Sequence, residues 1–337
     1  SILGECRRDA FMQQEQIQWE ANVWYLERLH LGKHRIDESK SLISISFMEV
    51  KEIQNREILQ AYMKYELGIT GQAVSTIVRR FVCIRNFIEL LEQEKILAIH
   101  ATVAEVKKYA DGLRERGIQA KGFNERIFGI GHFYKFMEVK QYITRMPFRI
   151  EYFQQKEVIV HHDRSVEETV YMEILKKLYL FPERLRCMFL HLWCLGLRAS
   201  EVCTLKGNAY YQQGEDYWIQ VYQVKMKNYK RIPIPQALYQ IMKVYLKKHE
   251  IQPEEFIFKN SRGGACLYGT FRTQMIEACR ENKIANGEYL FQSHDYRHTV
   301  ATMFYDSHVS PQSIRDYLGN PNWQLYRIGK ERDLKHR

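Results

Sequence analysis

Apolar positions recur at helical spacing along most of this chain, with polar residues on the opposite face. The first such stretch runs from Phe11 to Leu29, where Ile17, Trp19, Val23, Trp24 and Leu29 predict a helix closed by Gly32. A polar stretch (Lys33 to Lys40) follows, and Ile43-Ser44-Ile45-Ser46-Phe47 then alternates as a short strand does. From Val50 to about Met137 the period is helical throughout. One helix is predicted from Val50 to Leu67, stopped by Gly68. A second starts at a Thr70 cap and turns Val74, Ile77, Val78, Phe81, Ile84, Phe87, Ile88 and Leu91 inward. A third, capped by Thr102, buries Val103, Val106, Tyr109 and Leu113 and ends at Gly117. The fourth runs from about Ala120 to Met137 on a stripe of Phe123, Ile127, Ile130, Phe133, Tyr134 and Met137. Helices of this number and length predict a compact all-α bundle.

The period lapses at Pro147. Residues 146–164 read as a linker, and its His161-His162 pair has no third ligand at metal-binding spacing. Ser165-Val166-Glu167-Glu168 is a capping-box pattern ahead of an apolar helix, about Val166 to Leu178. A further helix spans Glu183 to Leu195 and breaks at Gly196. Trp218 to Val224 alternates as a strand, Lys225 to Lys230 is a polar turn, and Arg231 to Pro235 returns. Pro233 and Pro235 require the returning strand to lie at an edge. Helices resume at Gln236–Glu250, Tyr268–Asn282, about His294–Ser307 and Pro311–Leu318. The expected fold is mainly α with a small antiparallel β-sheet in the C-terminal domain. Its parts are an extension over 1–49, helical with a short strand, a helical domain over 50–145, the linker, and a second domain over 165–337.

Composition changes this picture only in part. A length of 337 residues favours about two domains. A formal net charge of +10 points toward an anionic partner. Arg79, Arg80, Arg85, Lys107, Lys108, Lys121 and Arg126 sit among the bundle helices, where a solvated face accounts for them equally well. Seven dispersed cysteines without a C-x-x-C pair suit a reduced intracellular protein. No apolar run is long enough to span a membrane. The chain begins at Ser1 without methionine, so its start reads as processed or partial.

The chemistry concentrates near the end, in Ser293-His294-Asp295-Tyr296-Arg297-His298-Thr299. Residues three apart lie about 300° round a helix, so His294 and Arg297 share one face. An imidazole moves protons and a guanidinium grips phosphate oxygens, although this spacing also occurs by chance. Three other stretches join it. Gly196-Leu197-Arg198-Ala199-Ser200-Glu201 places an arginine at a helix-to-helix turn, where it could instead satisfy helix C-terminal carbonyls. Lys225 and Lys227 flank a β-turn that extends an ammonium, or are simply solvated; Leu318-Gly319-Asn320 closes the last regular helix. His298 reads as locally packed.

Arginine, lysine, then His-x-x-Arg, in this order, resembles the tyrosine recombinase family, the phage-integrase-like site-specific recombinases. Gly-Leu-Arg-x-Ser-Glu matches its first arginine box and His-Asp-Tyr-Arg-His-Thr its second, with tyrosine where leucine is usual. Lys225 precedes Pro233 by the family's usual interval, and Leu-Gly-Asn stands where the family has Leu-Gly-His. The catalytic resemblance covers roughly residues 165–320, and the bundle resembles the family's core-binding domain by helix pattern and position. The resemblance implies a two-domain clamp on a double-stranded DNA recombination site, self-associating into dimers or tetramers, without cofactor or metal. It implies a cytoplasmic, nucleoid-associated mobile-element recombinase or integrase that works through a 3′-phosphotyrosyl intermediate. Arg198 and Arg297 would hold the phosphate, Lys225, or Lys227 in its place, would protonate the leaving 5′-hydroxyl, and His294 would take the nucleophile's proton or steady a phosphate oxygen. Asn320 would contact the phosphate, and Glu201 would orient Arg198 or His294. Arg79, Arg80, Lys121 and Lys227 would bind DNA.

The nucleophile departs from the family. Gly329 stands nine residues beyond Asn320, where the family's tyrosine usually falls, and Tyr326, six beyond, is the only tyrosine after the motif. Tyr317 precedes the motif on a helix and reads as packing. Residues 327–337 are mostly charged, with no apolar stripe for the family's docking C-terminal helix. A lost natural ending, for instance by a frame change after Asn320, would leave a catalytically degenerate DNA-binding relative. A type IB topoisomerase shares the residue types but not the core-binding-like bundle.

Overall fold

The structure, a computed structural model, describes residues 2–158 and 164–306. The chain divides into two compact units, Ser1–Ile36 with Leu42–Ile159 and Asp37–Ser41 with Val160–Arg337.

The first unit opens with helix α1 (Ile2–Gln13), which buries Phe11 and leaves most of its other side chains in water. The helix expected over Phe11–Leu29 is not formed. Val23–Tyr25 is instead strand β1, paired antiparallel with β2 (Ser44–Ser46), Trp24 opposite Ile45. A β-branched and aromatic run suits a pleated surface, and Trp24 is fully buried between Trp19 and Phe47, ring centroids 4.9 and 4.8 Å away. The expected strand around Ser44–Ser46 is present.

The four bundle helices follow as α2 (Ile53–Gly68), α3 (Val74–Gln93), α4 (Val103–Glu115) and α5 (Ala120–Val139). All six stripe residues read for α5 are buried, and Val74, Ile77, Phe81, Ile84, Phe87, Ile88 and Leu91 of α3 face them. Thr102 caps α4 as expected: its Oγ1 accepts from Ala104 N at 3.2 Å, while Glu105 Oε2 accepts from Thr102 N at 2.6 Å. Two local expectations fail. Thr70 spends its hydroxyl on Glu66 O at 2.6 Å and Ala73 takes the N-cap position of α3; Val103, first in its helix, is exposed. Phe148 and Phe153, in the stretch expected as linker, belong to the same core, as do Trp24, Ile45 and Phe47 from the expected extension.

The second unit is helical around a three-stranded antiparallel sheet, which bears out the expected fold class. Its elements are α6 (Glu168–Lys177), α7 (Glu183–Leu195), α8 (Ala199–Cys203), β3 (Tyr210–Gln213), β4 (Asp216–Gln223), β5 (Asn228–Pro233), α9 (Gln236–Lys248), α10 (Tyr268–Glu281) and α11 (Ser293–Asp306). The strand order β3-β4-β5 puts proline-bearing β5 at an edge, as its missing N–H requires. Strand β3 was not predicted; it pairs Tyr210 with Ile219 across a turn in which Gly214 takes φ +61°. Ser165 does not cap α6. Its hydroxyl lies 3.3 Å from Thr302 Oγ1, and Glu167 occupies the N-cap position without a side-chain bond. Among the described residues no helix is long and apolar enough to cross a membrane.

Candidate active site

The first arginine box is a helix stop followed directly by a helix start. Gly196 ends α7 in the left-handed region at φ +61°, a conformation that disfavours any Cβ, and its N–H donates to Leu192 O at 3.0 Å. Leu197 is buried, which anchors the turn, and Arg198 is the N-cap residue of α8. Glu201, one turn into α8, is 2 % exposed. Its Oε2 accepts from Arg198 N at 2.8 Å and its Oε1 from Arg198 Nη1 at 3.0 Å. A buried carboxylate held this way fixes the direction of the guanidinium that it partners.

The second box lies on α11. Arg297, 2 % exposed, donates from Nη1 to Gly196 O at 2.9 Å, so the carbonyl of the α7 stop receives the second arginine. The two boxes, far apart in the chain, thus meet at one backbone turn. Tyr296, which replaces the usual leucine, is fully buried against Phe189 and Phe291, with its hydroxyl 3.0 Å from that of Tyr289. Burial pushes its phenol well up, so it serves as core. Thr299 Oγ1 accepts from Val166 N at 2.8 Å and donates to Asp295 O at 2.9 Å, tying the segment before α6 to α11.

His294 keeps much of its surface in water and meets the His298 ring edge-on at 4.6 Å. Its pKa lies below the ordinary histidine value, first because packing on part of the ring excludes water. Arg297, Arg164 and Arg198 then oppose a further positive charge. The field of both box arginines therefore converges on His294, with a third from Arg164. Sequence reasoning missed Arg164, which stands in an aperiodic stretch outside every motif. The carboxyl of Asp295 is raised by burial and drawn back by that same arginine.

Lys225 and Lys227 are both exposed on the β4–β5 hairpin. Lys227 adopts φ +55° and donates its N–H to Gln223 O at 2.7 Å, which closes the turn. Gln223, also missed, is buried beside Glu201, its Nε2 3.5 Å from Glu201 Oε1. Its only sequence signal is an amide at an inward strand position. Asn320 and Tyr326, with the expected helix over Pro311–Leu318, lie outside the described residues, as does the His161-His162 pair.

In the first unit the basic candidates separate. Arg79 and Lys121 are exposed, Arg79 lying 3.9 Å from Glu125 Oε2. Arg80 turns inward: Nη1 donates to the fully buried Glu66 Oε2 at 3.1 Å and Nη2 to Gln72 Oε1 at 3.2 Å. Burial raises the Glu66 carboxyl, while Arg80 and then Arg35 pull it down.

Residues 164–327, which contain both arginine boxes and the hairpin, match the phage integrase family. The C-terminal unit thus carries a phage integrase family domain. Transposase B from transposon Tn554 of Staphylococcus aureus is 24 % identical over 318 residues, covering 91 % of this chain and 50 % of that protein. The chain thus spans about half the length of that relative. The tyrosine recombinase XerC of Bacillus licheniformis is 23 % identical over 287 residues, 80 % of this chain and 86 % of its own. Among solved structures, XerH site-specific recombinase bound to difH substrate shares the fold with a TM-score of 0.57 at 14 % identity, over 84 % of this chain and 88 % of that one. A lambda integrase dimer bound to a COC′ core site does so with a TM-score of 0.59 at 18 % identity, over 80 % and 76 %.

Proposed function

We propose that the chain is a site-specific DNA strand transferase of a mobile element, cutting and rejoining DNA through a 3′-phosphotyrosyl link. The observation that carries this reading is the pairing of the two boxes. Glu201 aims Arg198, Arg297 is seated on Gly196 O, and both guanidiniums act on His294. A phenol oxygen attacking a phosphodiester forms a P–O bond as the bond to the 5′-oxygen breaks. Charge builds on the non-bridging oxygens, where Arg198 and Arg297 would bind it. His294, its pKa lowered first by partial burial and then by the neighbouring arginines, would take the phenolic proton, and Lys225 would give one to the departing 5′-oxygen. The phosphate bond is conserved in the protein–DNA link, so rejoining needs no ATP. Tyr326 is the candidate nucleophile, and Asn320 would contribute a hydrogen bond to the phosphate. The similarity to a transposase and to a tyrosine recombinase supports this reading. Double-stranded DNA is the proposed partner, with assembly on it into dimers or tetramers.

The test is trapping on a nicked duplex that carries the joined ends of the element. A covalent protein–DNA adduct is expected, and Tyr326→Phe should abolish it. Adduct formation by Tyr326→Phe at the parent rate would remove Tyr326 from the chemistry. A second reading, a catalytically silent DNA-binding relative, is favoured by Gly329 at the usual tyrosine position. It predicts salt-sensitive DNA binding with no adduct from the parent.

A further inference from the structure

The inward positions of β4 read Ile219, Val221 and Gln223. The first two are apolar and buried; the third is a carboxamide only 5 % exposed. A polar group at a core-facing position costs stability unless it is hydrogen-bonded, so its contacts need an explanation.

Those contacts run in two directions. Through its side chain, Gln223 donates from Nε2 to Glu201 Oε1 over 3.5 Å, the same oxygen that accepts from Arg198 Nη1 at 3.0 Å. Through its backbone carbonyl it accepts from Lys227 N at 2.7 Å and Met226 N at 3.1 Å, the bonds that fold the hairpin tip. Lys225 stands between these contacts in the chain. One residue therefore joins the carboxylate that aims the first arginine to the loop that carries the lysine. The long side-chain bond leaves room to shorten once a phosphate engages Arg198, as site hydrogen bonds commonly do on binding.

We propose that Gln223 is a positioning residue that sets the Lys225 hairpin in register with the Glu201–Arg198 pair, so that proton donor and phosphate grip act at one phosphate. This rests on the strand-transferase reading. A glutamine that only filled space would be replaceable by methionine, which has nearly its volume and no donor. Glutamate at the same place would set a second carboxylate against Glu201 and push the strand end away.

Two measurements on the full chain decide it. In hydrogen exchange, Gln223→Met should speed exchange at the Met226 and Lys227 amides about fivefold or more while leaving Ile219 and Val221 protected. Unchanged exchange at the hairpin overturns the proposal. In adduct formation on the nicked joined-end duplex, Gln223→Met should be about 10- to 100-fold slower than the parent. Replacing the bridging 5′-oxygen of the duplex by sulfur gives a leaving group that needs no proton. On that duplex Gln223→Met should recover to within about threefold of the parent, whereas Glu201→Gln, which loosens Arg198, should stay slow. A Gln223→Met variant equally slow on both duplexes, or as fast as the parent on both, overturns the positioning role alone. A parent that forms no adduct on either duplex overturns the strand-transferase reading and this proposal with it.

Discussion

Arg79 and Arg80 are neighbours with opposite fates. Arg79 stays in water, whereas Arg80 reaches the fully buried Glu66, so the two answer different experiments. Arg80→Ala should cost about 3 kcal/mol of stability, because it strands a buried carboxylate, and Glu66→Gln with Arg80→Met should recover much of it. Urea melts of the free protein measure both; an Arg80→Ala melt equal to the parent's would place Arg80 at the surface. His294 supplies a second prediction. Its pKa is depressed, so the base form persists to lower pH, and activity is lost only as pH falls through that depressed value. The acid limb of the adduct-forming rate should lie below the free histidine value of about 6.5. Arg164→Gln removes one of the opposing charges and should move that limb to higher pH. A limb that stays in place would show that Arg164 exerts no field on His294.

At the scale of elements, success and failure of the sequence pattern divide by range of interaction. The helices α5, α7 and α10 begin where their periodicity starts, and Gly196 and Gly117 stop helices where a left-handed residue was needed. These signals lie within a few residues of their effect. The Thr102 cap is of this kind, and Thr102→Ala should lower stability by about 1 kcal/mol in a thermal or urea melt. Ser165 and Thr70 fit a capping pattern equally well but bond elsewhere, Ser165 to α11 across the unit and Thr70 back to Glu66. Strand β1 fails for the same reason in larger form: Val23–Tyr25 is a strand because Ser44–Ser46 lies beside it, and no local window contains both. The candidate site was legible as residue types, since both arginine boxes and the hairpin lysines stand in short motifs. Its wiring was not, because Gly196 O to Arg297 and Gln223 to Glu201 join residues distant in the chain.

For the whole molecule, a net charge of +10 and exposed Arg79 and Lys121 predict DNA binding that weakens steeply with salt. Arg79→Gln and Lys121→Gln should each reduce the logarithmic salt slope by about one, measured by fluorescence anisotropy on one duplex. A slope unchanged in both variants would move the DNA contact off this face. The sequence by itself determined the helical period of most of the chain, the glycine stops and the residue types of the two arginine boxes. Each of these is carried by side chains close together in the chain or by the chemistry of a single residue. Only the tertiary structure decided which arginine turns inward, that Tyr296 is core, and that the two arginine boxes meet at Gly196. Those outcomes depend on which buried groups find hydrogen-bond partners and which apolar surfaces close over them. Both are properties of distant segments brought together by folding.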